Sequence, residues 1–159
     1  MSTKRILYTR ADDGGLSIVV PSPSAIRSHA DEESLIATLI RKSVPSDALN
    51  VRVIEDAEVP LDREFRNAWT HTAGQFGIDM AKARAIQAER VAEALERANT
   101  TLAARGREAT LKGRTAEASS LNAKRAQIDN LDLSAVADAI NAAVNVDELR
   151  AAFPGALVE

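Results

Sequence analysis

The sequence predicts an α+β protein: a small N-terminal β-β-α-β antiparallel sheet unit, then an alanine-rich helical hairpin with short C-terminal helices. Three observations carry this. Two short β-prone runs flank the turn signal Asp12-Asp13-Gly14-Gly15. Leu35, Ile36, Leu39 and Ile40 form one apolar stripe at helical spacing. Alanine dominates the second half, where apolar residues recur at steps of three and four.

The elements follow in chain order. Arg5 to Thr9 reads as a strand, and Leu16 to Val20 as its return, because the glycines between them take positive φ freely. Pro21 and Pro23 end the hairpin, since proline cannot donate to a ladder. Ser34 to Lys42 is a helix. Asp31, Glu32 and Glu33 oppose the positive end of its dipole, and Arg41 and Lys42 sit at its negative end. Pro45 closes it. Val51, Val53 and Ile54 make the third strand, which sets the first part at residues 1–55.

Residues 56–78 read as an aromatic linker. Asp56, Glu58, Asp62 and Glu64 are acidic, and Pro60 interrupts them. Phe65 and Trp69 lie four apart, so one helical turn would put both rings on one face. Gly74 and Gly77 flank Phe76. This stretch holds Phe65, Trp69 and Phe76 in a chain that is only 3% aromatic.

Residues 79–159 are helical. Asp79 is placed as the N-cap of a long helix to about Arg105, with Gly106 as its stop. Ala88, Val91, Leu95, Ala98 and Leu102 form a heptad seam, though over fewer heptads than a coiled coil needs. A second helix carries Leu111, Ala118, Leu121 and Ile128, with Gly113 as a weak point. Asp132 caps a third, with Val136, Ala139, Ile140 and Ala143; Asp147 to Phe153 is a last short turn before Pro154-Gly155.

Composition bounds the function. The chain has 159 residues, room for one domain or a small domain plus an extension. Alanine buries little area, so the core is thin, which favours an elongated shape or support from partner chains. Lys plus Arg is 20 against 23 Asp plus Glu, a net charge of −3, and the basic residues are interspersed with acidic ones. That argues against nucleic-acid binding. The absence of cysteine excludes disulfides, thiol nucleophiles and cysteine-held metals. No apolar run approaches the ~18 residues of a membrane span. After Met1-Ser2-Thr3-Lys4-Arg5 the apolar run is too short for a signal peptide, so a cytoplasmic start is expected.

No catalytic, cofactor or metal residues stand out. His29 and His71 are the only histidines, and neither has a histidine one helical turn away. His29 reads as exposed or capping, His71 as a polar contact within the aromatic packing. The acidic cluster lacks the ligand order of a calcium loop and reads as solvated or paired with Arg63 and Arg66. Gly74-Gln75-Phe76-Gly77 is not followed by the lysine and hydroxyl of a phosphate loop, and no serine sits in Gly-x-Ser-x-Gly. The chain is not read as an enzyme.

Partner contacts are the remaining chemistry. Phe65-Arg66-Asn67-Ala68-Trp69 is either an aromatic plug inside the fold or an anchor for another chain, with Arg66 reaching a carboxylate or carbonyl. The alanine-rich helical face either closes on itself or meets a neighbouring subunit. The contact candidates are Phe65, Arg66, Trp69, Phe76, Val91, Leu95 and Leu102.

The stretch Val59-Pro60-Leu61-Asp62-Arg63-Glu64-Phe65-Arg66-Asn67-Ala68-Trp69, with Asp79-Met80-Ala81-Lys82-Ala83-Arg84 after it, resembles small tail- or fibre-associated proteins of tailed bacteriophages. The likeness covers most of residues 4–90. It departs after Arg105, where Gly106, Gly113 and many Ala, Ser and Thr residues weaken the second helix. The resemblance implies a structural component of the particle, at the tail, baseplate or fibre attachment, made in the host cytoplasm and carried into the virion. The alternative it implies is a tail or tail-fibre assembly chaperone absent from the mature particle. The expected partners are other phage structural proteins, tail or fibre chains, or further copies of the chain, with no nucleic acid, membrane or cofactor.

Overall fold

A computed structural model of the chain describes residues 4–158; Met1 to Thr3, read above for a targeting segment, lie outside the described residues, as does Glu159. The protein is a mixed α+β molecule: small antiparallel sheets, then a long helix and shorter C-terminal helices. It divides into two compact units, residues 1–79 and 80–159.

In the first unit, β1 (Lys4–Thr9) is central, between β2 (Leu16–Val19) and β3 (Leu49–Glu55), antiparallel to both. The register puts Leu7 opposite Ile18 and Arg52, and Ile6 opposite Val19 and Val53. Successive side chains alternate faces, so Leu7 and Ile6 serve opposite sides, and both are buried. α1 (Pro23–Ser28) and α2 (Glu32–Ser43) follow the hairpin. α2 packs against β1 and buries Leu35 and Ile36. Asp31 caps it by accepting from the Ser34 N–H at 2.7 Å.

Several expectations are corrected here. α1 was not expected: Pro21 and Pro23 read as strand stops, yet Ser22 is an N-cap and Pro23 takes the first helical turn, where its missing N–H costs nothing. His29 ends this helix, its Nδ1 meeting the Ala25 carbonyl at 2.8 Å. In β3 only Ile54 is buried, while Val51 and Val53 stay exposed on an edge strand. The stretch expected as a linker folds with the first unit. Phe65 and Trp69 share no helical turn. Arg66–Ala68 is a 3₁₀ turn, and β4 (Trp69–Thr72) pairs with β5 (Gln75–Ile78) around Ala73-Gly74, both at positive φ. Leu7, Ile54, Val59 and Trp69 form the core on that side, with Leu16, Ile18, Phe76 and Ile78 packed around them.

In the second unit, α3 (Met80–Leu111) packs on α4 (Thr115–Asp129), α5 (Leu133–Ala142) and α6 (Val146–Ala151). Gly106 does not stop α3, which runs on to Leu111; Gly113, at φ +67°, is where the chain turns. Leu111, expected to face inward on the second helix, closes α3 and is 88% exposed. Asp132 caps α5 through the Ala135 N–H at 2.9 Å. Two side chains pin the far elements to α3: Arg84 donates twice to the Ala143 carbonyl, at 2.8 and 3.1 Å, and buried Gln87 donates to the Leu149 carbonyl at 2.8 Å.

Candidate functional site

The first candidate site lies within the sheet unit. Leu16, Ile18 and Val20 alternate along β2 and its exit, so their side chains share one face. Trp69 closes the floor beside them, and Arg10, Arg63 and Arg66 rim a cleft of about 260 Å³.

The three arginines are not equivalent. Arg10 is held in the hairpin: it donates to the Asp13 carboxylate at 2.6 and 2.9 Å, to the Leu16 carbonyl at 3.3 Å and to Ser17 Oγ at 3.1 Å. Those guanidinium hydrogen bonds, then the Gly15 N–H, hold the Asp13 carboxyl well below the usual carboxylate range. The same bond with Asp13 raises the Arg10 value. Arg63 and Arg66, both exposed, make no salt bridge or side-chain hydrogen bond among the described residues.

This corrects the pairing expected for the acidic cluster. Asp56 takes Arg5 at 2.9 Å, Glu58 accepts the Glu55 N–H at 2.9 Å, and Asp62 accepts the Glu64 N–H at 3.1 Å. Glu58 and Asp62 take nearby backbone donors and Asp56 takes Arg5, and an exposed ion pair with Arg63 or Arg66 would gain little. No group of three or more acidic or histidine side chains is placed to hold a metal among the described residues. His71 stacks edge-on to Phe76, centroids 4.9 Å apart, and its Nε2 has no hydrogen-bond partner among the described residues.

The second candidate site lies within the helical unit. Ala81, Ala85, Ala88 and Ala92 form an exposed small-residue wall along α3, and Leu133, Val136 and Ala137 of α5 form the facing wall. Val91 and Ile140 are buried in the floor. The groove holds about 580 Å³ and is mostly apolar, with Arg84 and Asn141 as its polar lining. Alanine at these positions leaves room that leucine would fill, and Leu133 remains 47% exposed.

No protein family, curated protein or solved structure matches this chain.

The predicted contact residues therefore separate. Phe65 is 2% exposed and Trp69 8%; both belong to the core of the first unit, so neither ring is free to anchor another chain. Phe76 is half-buried and meets Trp69 edge-on, centroids 5.6 Å apart. Arg66 is exposed on the cleft rim. Val91 and Leu95 line the groove, whereas Leu102 is buried against the α4 side and lines a separate hollow with Leu111 and Asn122. Sequence reasoning missed Arg63 and β2 as cleft walls, and Leu133 and Val136 as groove walls. The only signal for the latter was the spacing Leu133, Val136, Ala137, Ile140, whose stripe is wider than one helix contact covers.

Proposed function

We propose that this chain is a structural component of a tailed-phage particle, at the tail, baseplate or fibre attachment, acting through protein–protein contacts. Its partners are other phage structural proteins, including tail or fibre chains, or further copies of itself. It is made in the host cytoplasm and carried into the virion, and it has no catalytic step and no cofactor. The observation that supports this reading is the open apolar groove between α3 and α5. Apolar surface of this kind is unfavourable in water and is stabilised when another chain covers it. No helix among the described residues is long and apolar enough to cross a membrane.

The assembly-chaperone alternative needs an exposed aromatic anchor in the free protein. With Phe65 and Trp69 in the core, nothing favours it over the structural reading.

Mass spectrometry of purified particles is the test. A structural component is present in stoichiometric amount with its neighbours. Absence, or a trace amount, overturns the reading.

A further inference from the structure

We propose that the Arg63–Arg66 cleft binds an extended acidic segment of a partner protein, with a carboxylate held by the two guanidinium groups and an adjacent apolar side chain seated between β2 and Trp69. The proposal rests on the reading of this chain as one that works through protein contacts, and it names the chemistry of one partner.

Four observations lead to it. Arg63 and Arg66 carry unneutralised charge in a chain whose net charge is −3, while nearby carboxylates are engaged elsewhere. The two are held together, because the Arg66 N–H donates to the Arg63 carbonyl at 3.2 Å and closes a turn. That turn is rigid: Phe65 and Ala68, on either side of Arg66, are 2% and 0% exposed. A planar guanidinium fork matches a carboxylate in geometry as well as charge.

The floor decides the rest. Val20 is 54% exposed above half-buried Leu16 and Ile18, so the cleft is wet apolar surface beside two cations. About 260 Å³ takes one aliphatic side chain and its neighbours, not a nucleobase stack. β2 is also an edge strand, so one row of its backbone groups has no strand neighbour among the described residues. An extended segment can pair there while its alternate side chains enter the cleft.

Trp69 is the only tryptophan and lines this cleft, so its emission responds to a ligand seated there. The probe is a capped pentapeptide of alternating Glu and Leu, with a Lys-for-Glu counterpart as control. The Glu peptide should give a saturable change in emission and a matching calorimetric isotherm, both weakened by salt. The double variant Arg63→Gln, Arg66→Gln should bind about tenfold more weakly or worse, with melting unchanged because both side chains are exposed. Three results would overturn the proposal: no heat and no emission change with the Glu peptide, equal binding of the Lys peptide, or an unaffected double variant. A response to a single-stranded oligonucleotide in place of the Glu peptide also overturns it. These measurements use the isolated chain, so their failure leaves particle incorporation to be judged separately by mass spectrometry.

Discussion

The two units bury their cores with different materials. Among the described residues, the first unit buries Phe65, Trp69, Ile6, Leu7, Leu35, Ile36, Ile54 and Val59, with Ala68 the one buried alanine. The second also buries leucines and isoleucines, but Ala83, Ala109 and Ala143 take places in its core, and so does a polar side chain, Gln87. Large rings close a surface from within; alanines bring backbones close but leave gaps at the margins. The thin core that composition implies is thus a property of the helical unit, not of the whole chain. The aromatic residues that stood out in the sequence are spent on folding, and the surfaces left open are an apolar groove and a cleft rimmed by arginine.

The largest expected effect tests that contrast directly. Trp69→Ala removes a ring that packs on Leu7, Ile54 and Val59 and leaves a cavity. The loss should be about 3–5 kcal/mol by denaturant unfolding. A loss below about 1 kcal/mol would mean that the ring is not a core element, and the anchor reading would return.

Sequence made part of this legible. The β1–β2 hairpin, α2 with acidic residues at its start, and α5 with its Asp132 cap all rest on local chemistry that the residues announce, although Asp31 caps α2 rather than only opposing its dipole. The β4–β5 hairpin did not announce itself. Its turn is Ala73-Gly74, and alanine at φ +52° lacks the Asn or Asp signature of that turn. The i, i+4 spacing of Phe65 and Trp69 also mimicked a helix, when burial of both rings came instead from a 3₁₀ turn running into a strand. The cleft was half visible. Arg66 was singled out as a contact, but it and Arg63 were both read as partners of carboxylates that Arg5 and backbone N–H groups take instead. The groove was hidden because it depends on which neighbour α3 meets, and that is fixed by contacts far apart in sequence, such as Arg84 to Ala143.

A smaller effect sharpens the helical half. Gly106 lies inside α3, at ordinary negative φ, with open space where a Cβ would stand. Gly106→Ala should therefore stabilise the protein by about 0.5–1 kcal/mol, because glycine loses more chain entropy in a helix. Thermal melting checks it. A decrease in stability would show that α3 breaks at Gly106, as the sequence alone implies.

Smaller still is the effect of a charge on the groove wall. Ala88 is exposed, and both alanine and glutamate favour helix, so Ala88→Glu should change stability by less than about 0.5 kcal/mol. Its effect should appear in assembly: a carboxylate in the groove should deplete the variant from purified particles. Normal incorporation of Ala88→Glu would remove the groove from the proposed function while leaving the fold intact.

The hairpin of the first unit offers the finest test, through pH. Arg10 and the Gly15 N–H hold the Asp13 carboxyl below its ordinary value of 3.8. A carboxylate whose value is lower in the folded chain contributes stability that is fully present above the unfolded value and is lost as pH falls from there through the folded value. Asp13→Asn should thus lower the melting temperature slightly at pH 7, and the gap to the parent should narrow as pH drops from about 4 toward 2. The effect is small because the pair is exposed to solvent, and added salt should reduce it further. A gap that stays constant across that range would mean that neither the Arg10 pairing nor the Gly15 N–H favours the ionised carboxylate enough to stabilise the hairpin. Arg10 would still be held by the Leu16 carbonyl and Ser17 Oγ, so Arg63 and Arg66 would remain the two cations that face any segment entering the cleft.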